Sequence, residues 1–154
     1  MFTTNQTNTM ETEQHTEPLT RGIVIFGATG DLCKRKLIPA LYKLWDKGLL
    51  PKGFTITGAS RRDPGRESWV KSLGDYPEEF VHLLDYVSCD LSSQESLNKL
   101  PDTDDTTYFL SVPPERYEWA IINLKQGGFL DDPETSRVVI EKPFGYDLKS
   151  ANHL

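Results

Sequence analysis

The sequence has few of the side chains that usually bind metal ions. It contains two cysteines, Cys33 and Cys89, and three histidines. The two cysteines are not at a metal-ligand spacing, and the histidines are scattered along the chain. We therefore expect no metal site in this protein.

Long hydrophobic runs and an excess of positive charge are also absent. Hydrophobic residues make up 37% of the chain, and no run approaches the roughly 20 residues that a membrane-spanning helix needs. The formal net charge is −6, whereas a nucleic-acid-binding protein usually presents a basic face. We expect neither a membrane nor a nucleic acid as a partner. A small anionic ligand is not excluded, because local charge decides that kind of binding.

The N-terminal segment has neither apolar periodicity nor a basic start. Residues 1–20 are rich in Thr, Glu, Gln and Asn, a composition typical of disordered segments. The segment has no apolar stretch that would make it a secretory signal. Its acidic residues argue against a transit peptide, because transit peptides contain few of them. We predict a disordered polar tail over residues 1–20, one domain over residues 21–154, and a cytoplasmic location.

Beyond this tail, β-rich or apolar runs alternate with segments of helical periodicity. The predicted strands are residues 23–26, 54–60, 86–90, 106–112 and 137–143. The predicted helices are a segment beginning near residue 37, then residues 77–85, 92–100 and 114–126. Such alternation is typical of βαβ units. The expected fold class is therefore α/β, with a Rossmann-like, doubly wound and mostly parallel sheet.

Three predicted helices pose questions of local geometry. Pro39 lies inside the first helix, which must therefore kink or begin afresh there. Ser92, with Glu95 three residues later, is the predicted cap of the third helix. A last helix is predicted to begin after Asp147, and no C-terminal stop signal follows it. We therefore expect the domain to be incomplete at its C-terminal end, as the front part of a longer protein.

The segment "GATGDLCKRKL", residues 27–37, follows the first predicted strand. Gly27 allows a sharp turn, and Gly30 allows the backbone to approach a pyrophosphate, which the N–H groups of the next helix would face. Thr29 adds a hydroxyl to the same turn. Cys33 stands where a small residue would pack the helix against the strand, so we interpret it as a packing residue rather than a redox centre. A loop with two glycines is a weak signal, and a tight turn without ligand stays open as an alternative.

Two arginines follow the second predicted strand. NAD-binding domains usually place an acidic residue there, which binds the ribose 2′-hydroxyl. In this chain Ser60 is followed by Arg61 and Arg62, and an arginine pairs with a 2′-phosphate where an acid would repel it. The pattern favours NADP over NAD, with a solvated loop as the alternative.

The fourth and fifth predicted strands also end in residues of interest. Pro113 ends the fourth strand because proline cannot donate to a strand ladder. Lys142 follows the fifth strand, at the edge where a parallel sheet binds ligands. The ends of four strands are thus predicted to converge on one edge of the sheet.

Four motifs, in order, resemble the coenzyme domain of the glucose-6-phosphate dehydrogenase family. They are "GATGDLCKRKL", "LLPKGFTITGASR", "YFLSVPPERYE" and "VVIEKPFGYDL". The resemblance extends from Gly22 to the last residue, with Cys33 in place of the family's usual alanine and Ser60 in place of another small residue. The coenzyme-binding residues that the resemblance implies are Gly27, Ala28, Thr29, Gly30, Asp31, Leu32, Arg61, Tyr117 and Lys142.

The resemblance also implies particular roles and a reaction. Arg61 would hold the 2′-phosphate of NADP. Lys142 would bind glucose 6-phosphate and orient its C1 hydroxyl, beside a cis peptide bond at Pro143. The family's reaction is the NADP-dependent oxidation of D-glucose 6-phosphate to 6-phosphogluconolactone, in the oxidative pentose phosphate pathway of glucose metabolism. A homo-oligomer is expected for a full-length form.

The general base of the family is missing from this chain. In the family it is a histidine in an Arg-Ile-Asp-His-Tyr motif, and none of His15, His82 and His153 has that context. Loss of a general base typically lowers a rate by about 10²–10⁴-fold. Because the substrate domain is absent as well, we expect the chain alone to be inactive.

Two alternatives stay open at the level of sequence. Oxidoreductases of the inositol and glucose–fructose type share the "EKP" motif but usually carry a G-x-G-x-x-G loop, which "GATGDL" does not match. A non-catalytic NADP-binding module, similar to redox-sensing regulators with a Gly-Ala-Thr-Gly loop, is the other alternative. The "DLCKRKL" continuation argues against it.

Overall fold

The computed structural model describes residues 20–101, 104–142 and 148–153. Residues 1–19, nearly all of the predicted tail, lie outside the described residues. The same holds for residues 143–147, which include Pro143 with its expected cis bond and the predicted cap Asp147. None of the described helices is both long and apolar enough to cross a membrane.

The core of the fold is a five-stranded sheet in which every neighbouring pair of strands is parallel. The strands are β1 Gly22–Phe26, β2 Thr55–Ser60, β3 Leu84–Ser88, β4 Thr106–Leu110 and β5 Arg137–Ile140. Their order across the sheet is β3-β2-β1-β4-β5. The strand order reverses between β1 and β4, as in doubly wound folds. The predicted α/β class and parallel sheet are confirmed.

Six α-helices are described along the chain. They are α1 Ile38–Asp46, α2 Arg66–Leu73, α3 Glu78–Val81, α4 Gln94–Leu97, α5 Tyr117–Gln126 and α6 Leu148–His153. A π-helical turn, Cys33–Leu37, precedes α1, and a 3₁₀ turn, Pro114–Arg116, precedes α5. The predicted stop of α5 is confirmed, because Gly128 adopts a φ of +83° and the N–H of Phe129 donates to the carbonyl of Leu124.

Two hydrophobic cores cover the two faces of the sheet. One core joins β1 to α1, α2 and α3 through residues such as Ile25, Ile38 and Trp69. The other joins β1 to α4 and α5 through residues such as Val24 and Leu124. Successive residues of β1 thus belong to opposite cores, as the alternation of side chains along a strand requires. Both faces of the parallel sheet are covered, which explains why β1 is apolar without interruption.

The turn before α1 explains how Pro39 is accommodated in the first helix. Helical backbone begins at Asp31 and continues to Asp46. Within it the N–H of Ile38 donates to the carbonyl of Cys33, five residues earlier, and α1 then starts with Pro39 in its first turn. The π-helical turn places the proline where its missing N–H breaks no bond of α1.

The structure differs from the predicted elements in three places. No element was predicted for residues 66–73, which fold as α2, since Trp69 and Leu73, four residues apart, are both buried. The helix predicted over residues 77–85 ends at Val81, and β3 begins at Leu84, because Leu84 pairs with Ile56 of β2.

The third correction concerns the cap of α4. Ser93, and not Ser92, caps the helix, and its hydroxyl accepts a hydrogen bond from the N–H of Ser96. The hydroxyl of Ser92 instead donates to the carboxylate of Asp90 over 2.7 Å. Two adjacent serines compete for the cap, and the choice depends on the acceptor that Asp90 offers to one of them.

Candidate nucleotide-binding site

A cleft of about 320 Å³ opens at the carboxyl edge of the sheet, where the strand order reverses. Residues after β1, β2, β3 and β4 line it, together with the first turn of α5. Such a crevice is the usual ligand site of an open α/β sheet. Among the described residues, no cluster of three or more His, Cys, Asp or Glu side chains has the geometry of a metal site.

The loop after β1 is held by its own backbone. The N–H groups of Gly27 and Ala28 both donate to the carbonyl of Ala59, over 2.9 and 3.2 Å, and the N–H of Gly30 donates to Gly27 over 2.9 Å. Gly27 has a φ of +81°, and a Cβ added there would lie 1.9 Å from the carbonyl oxygen of Ser111. Only glycine therefore fits this position.

The six predicted coenzyme residues of this loop are divided between the cleft and the core. Gly27, Thr29 and Gly30 line the cleft. Ala28 is fully buried beneath it, and Leu32 is half-buried, outside the lining.

Asp31, the remaining predicted residue of the loop, is exposed. Its carboxylate lies 4.0 Å from the guanidinium of Arg35, one helical turn later. The loop after β1 thus offers the cleft its backbone atoms and the hydroxyl of Thr29, as a phosphate loop does.

The loop after β2 brings positive charge to the cleft. Arg61 and Arg62 both line it, and both side chains are exposed. Ser60, which also lines the cleft, contacts the hydroxyl of Tyr86 over 2.6 Å. Both guanidinium groups are thus exposed at the rim of the cleft, where they can pair with an anion.

Two charged residues of the cleft were missed by sequence reasoning. Asp90 follows β3, and Arg116 lies in the 3₁₀ turn before α5. Hydrogen bonds from the N–H and hydroxyl of Ser92 lower the pKa of Asp90, and the charges of Arg61 and Arg116 add to this effect. The negative charge of Asp90 is thus balanced within the cleft. The rule that ligands meet strand ends, applied to β3, would have found Asp90.

The remaining two predicted residues, Tyr117 and Lys142, lie apart from the lining of the cleft. Tyr117 is buried, and its hydroxyl donates to the carbonyl of Glu141 over 3.3 Å. Lys142 is exposed, directly after Glu141. The structure brings these two residues together beside the end of β5, while Gly27, Arg61 and Pro113 meet in the cleft.

Cys33 is a packing residue, as predicted. Its side chain is fully buried in the core that contains Ile25 and Ile38. Burial raises the pKa of the Cys33 thiol to about 12, so the thiol stays protonated and a poor nucleophile at neutral pH.

The sheet order, the glycine turn after β1 and the cleft at the switch point together define a nucleotide-binding domain of the Rossmann type. The sequence model of the family described as "Glucose-6-phosphate dehydrogenase, NAD binding domain" matches residues 24–154. The chain belongs to this family, and the match decides between the alternative dehydrogenase families in its favour.

Individual relatives agree with this assignment. Glucose-6-phosphate 1-dehydrogenase of Bacillus subtilis is 36% identical over 151 residues, and that of Treponema pallidum is 34% identical over 164 residues. Each match covers 86% of this chain and 31% of the relative. The chain therefore spans about a third of the length of these relatives.

Solved structures of the family have the same fold. The crystal structure of glucose-6-phosphate 1-dehydrogenase from Mycobacterium avium superposes with a TM-score of 0.74 at 27% identity, over 87% of this chain and 32% of that one. A glucose-6-phosphate dehydrogenase in complex with glucose 6-phosphate gives a TM-score of 0.72 at 26% identity, over 87% of this chain and 33% of that one.

Proposed function

We propose that this chain is the coenzyme domain of an NADP-dependent glucose-6-phosphate dehydrogenase and that it binds NADP in the cleft. The observation that carries the proposal is the pair Arg61 and Arg62 at the end of β2, beside the glycine turn. The turn would hold the pyrophosphate, with Thr29 as an added donor. Arg61 would pair with the 2′-phosphate, which NAD lacks.

In the reaction we propose, glucose 6-phosphate is oxidised at C1 to 6-phosphogluconolactone. NADP, when bound, supplies the acceptor for the hydride. Lys142 would bind the sugar phosphate and orient its C1 hydroxyl, and Tyr117 would hold the end of β5 through Glu141. A general base must accept the C1 hydroxyl proton, and the family's histidine motif for this role is not part of the sequence.

The activity is therefore proposed for a protein that joins this domain to a substrate domain. The chain alone is expected to bind NADP without turnover. A cytoplasmic location and a homo-oligomer of the full-length form remain predictions from the sequence and the resemblance.

The test is a titration of the purified chain with NADP and, in parallel, with NAD, measured by calorimetry and by thermal stability. Arg61→Ala should raise the Kd for NADP by about 10–100-fold, which corresponds to one lost charged hydrogen-bonding group. The Kd for NAD should stay within about 2-fold, because NAD has no 2′-phosphate.

Lys52→Ala is the matched control. Lys52 is exposed and precedes β2, at the opposite edge of the sheet, so its removal takes away one positive charge far from the cleft. It should leave both Kd values unchanged. If a folded sample binds neither nucleotide, the proposal is refuted. If Arg61→Ala and Lys52→Ala raise the Kd for NADP equally, Arg61 contributes only to the overall positive charge and does not contact the 2′-phosphate.

A further inference from the structure

Behind the cleft, a buried aromatic pair contacts both coenzyme loops. Trp69 of α2 and Tyr86 of β3 have ring centroids 5.3 Å apart, and both side chains are buried. Each ring carries one polar group, and each polar group bonds to the backbone of a different loop.

Tyr86 holds the loop after β2. Its hydroxyl donates to the carbonyl of Arg62 over 2.5 Å. The Tyr86 hydroxyl is also in hydrogen-bond contact with the Ser60 hydroxyl over 2.6 Å, and the Ser60 hydroxyl can donate to the same Arg62 carbonyl over 3.4 Å. The ordinary tyrosine pKa of 10.0 already keeps the hydroxyl protonated at neutral pH, and burial raises the pKa of Tyr86 further. The Tyr86 hydroxyl thus bonds to the backbone of Arg62 on one side of Arg61 and contacts the side chain of Ser60 on the other.

Trp69 holds the loop after β1. Its indole N–H donates to the carbonyl of Ala28 over 3.0 Å in the buried interior. The ring has little freedom to move, because a Cβ added at Gly58 would lie 2.5 Å from its Cζ2 atom. The glycine turn is therefore anchored from below by a side chain that is more than forty residues away in the sequence.

We propose that Tyr86 is a positioning residue for NADP specificity and that Trp69 is a positioning residue for the pyrophosphate turn. Tyr86 acts through the loop that carries Arg61, so its hydroxyl should matter for the 2′-phosphate and not for the rest of the nucleotide. Trp69 acts through the turn that would contact the pyrophosphate, which NADP and NAD have in common. The inference rests on the proposed function, in which the cleft binds NADP.

The test compares Kd values for NADP and NAD in Tyr86→Phe and Trp69→Phe. Tyr86→Phe keeps the ring and should raise the Kd for NADP by about 5–10-fold, as expected for one lost hydrogen bond. The Kd for NAD should change by less than about 2-fold, so the NADP preference falls. Trp69→Phe should raise both Kd values by a similar factor and leave the preference unchanged.

Two further variants separate positioning from mere stability. Ser60→Ala removes the other bond to the Tyr86 hydroxyl and should lower the NADP preference in the same direction. Tyr76→Phe is the control, since Tyr76 packs against Tyr42 and Phe80 in the aromatic cluster beside α1 and does not line the cleft. Its preference for NADP should equal that of the unchanged chain.

The outcomes distinguish this inference from the proposed function. If the unchanged chain prefers NADP but Tyr86→Phe and Ser60→Ala keep that preference, Tyr86 does not position the loop and the inference is wrong. A lowered preference in Tyr76→Phe would also overturn it, because the effect would then follow from stability alone. If the unchanged chain binds neither nucleotide, the proposed function fails and takes the inference with it.

Discussion

Two of the loops that line the cleft are held in place by different means. The loop after β1 is held by backbone hydrogen bonds to Ala59 and by a glycine that no other residue can replace. The loop after β2 is held by side chains, because the Tyr86 hydroxyl bonds to Arg62 and to Ser60. The first loop therefore depends mainly on backbone groups, to which Trp69 adds the bond to Ala28, whereas the second depends on a side chain of the neighbouring strand.

This difference has a consequence for sequence change. The first loop tolerates no added side chain at Gly27, but its neighbours contribute mainly their backbones. The second loop tolerates change at its exposed arginines as far as folding is concerned, and its shape depends on a phenol in the core. If the cleft binds NADP as proposed, the group that holds the pyrophosphate and the group that recognises the 2′-phosphate would thus lie on loops that are stabilised in different ways.

The largest effect should come from Gly27→Ala, which attacks the first loop directly. The added Cβ would lie 1.9 Å from the Ser111 carbonyl oxygen, at a φ of +81°. We expect a loss of about 2–5 kcal/mol in the free energy of unfolding, the sum of overpacking and left-handed strain. Nucleotide binding should be lost. Urea denaturation and a nucleotide titration measure the two effects.

Gly53→Ala is the matched control for this prediction. Gly53 has a φ of +78°, and nothing lies within 4 Å of an added Cβ. Gly53→Ala should lower the free energy of unfolding only through the left-handed backbone strain, by about 1–2 kcal/mol. It should still bind nucleotide. If both variants lose the same free energy of unfolding, the contact between the added Cβ and Ser111 is relieved without loss of stability, which contradicts the prediction.

A smaller effect is expected from Gly58→Ala, which acts on the first loop through Trp69. The new Cβ would meet Cζ2 of Trp69 at 2.5 Å and Cβ of Ala28 at 2.9 Å. Overpacking of this kind lowers stability by about 1–3 kcal/mol. The free energy of unfolding should be measured for Gly58→Ala, Trp69→Phe and the double variant.

The double variant sharpens the comparison between the loops. A phenylalanine at position 69 lacks the atoms that crowd Gly58, so the double variant should be more stable than the sum of the two single changes predicts. Strict additivity would show that the crowding at Gly58 is relieved elsewhere, and the proposed link between Trp69 and the first loop would lose its support.

The smallest effect concerns the pH dependence of the free energy of unfolding, to which Asp90 contributes in the cleft beside the second loop. The pKa of Asp90 is lowered in the folded protein, chiefly by hydrogen bonds from Ser92. A lowered pKa stabilises the fold above the unfolded pKa, and this stabilisation is lost as the pH falls through the folded pKa. Asp90→Asn should therefore be less stable than the unchanged chain near neutral pH, and the difference should shrink on acidification below the ordinary aspartate pKa of 3.8.

Urea midpoints across this pH range provide the measurement. Ser92→Ala removes the hydroxyl donor and should abolish part of the pH-dependent difference, because the N–H of residue 92 still donates to Asp90. A constant difference between Asp90→Asn and the unchanged chain at every pH would contradict the prediction.

Much of the fold could be read from the sequence because its signals are local. The apolar run of β1, the β-rich run of β4 and the double glycine after α5 each lie within a few residues of the element that they specify. The errors arose where distant contacts decide. The segment of α2 has weak periodicity, and its helix forms because Trp69 and Leu73 pack on the sheet.

The site shows the same division. Gly27, Thr29, Gly30 and Arg61 could be placed at the cleft because strand ends of a parallel sheet meet at one edge. Arg116 was not found, because it lies in the 3₁₀ turn that precedes α5, several residues beyond the end of β4, and has no strand-end signal. The aromatic pair was not found either, because Trp69 and Tyr86 lie on different elements and resemble ordinary core residues.

The sequence by itself determined the fold class, the position of the phosphate turn and the family, since these depend on short motifs and on the alternation of strands with helices. Only the tertiary structure decided which charges share the cleft and what holds its second loop. The physical reason is that a hydrogen bond such as that from Tyr86 to Arg62 joins residues 24 positions apart, and no local pattern encodes the distance between them.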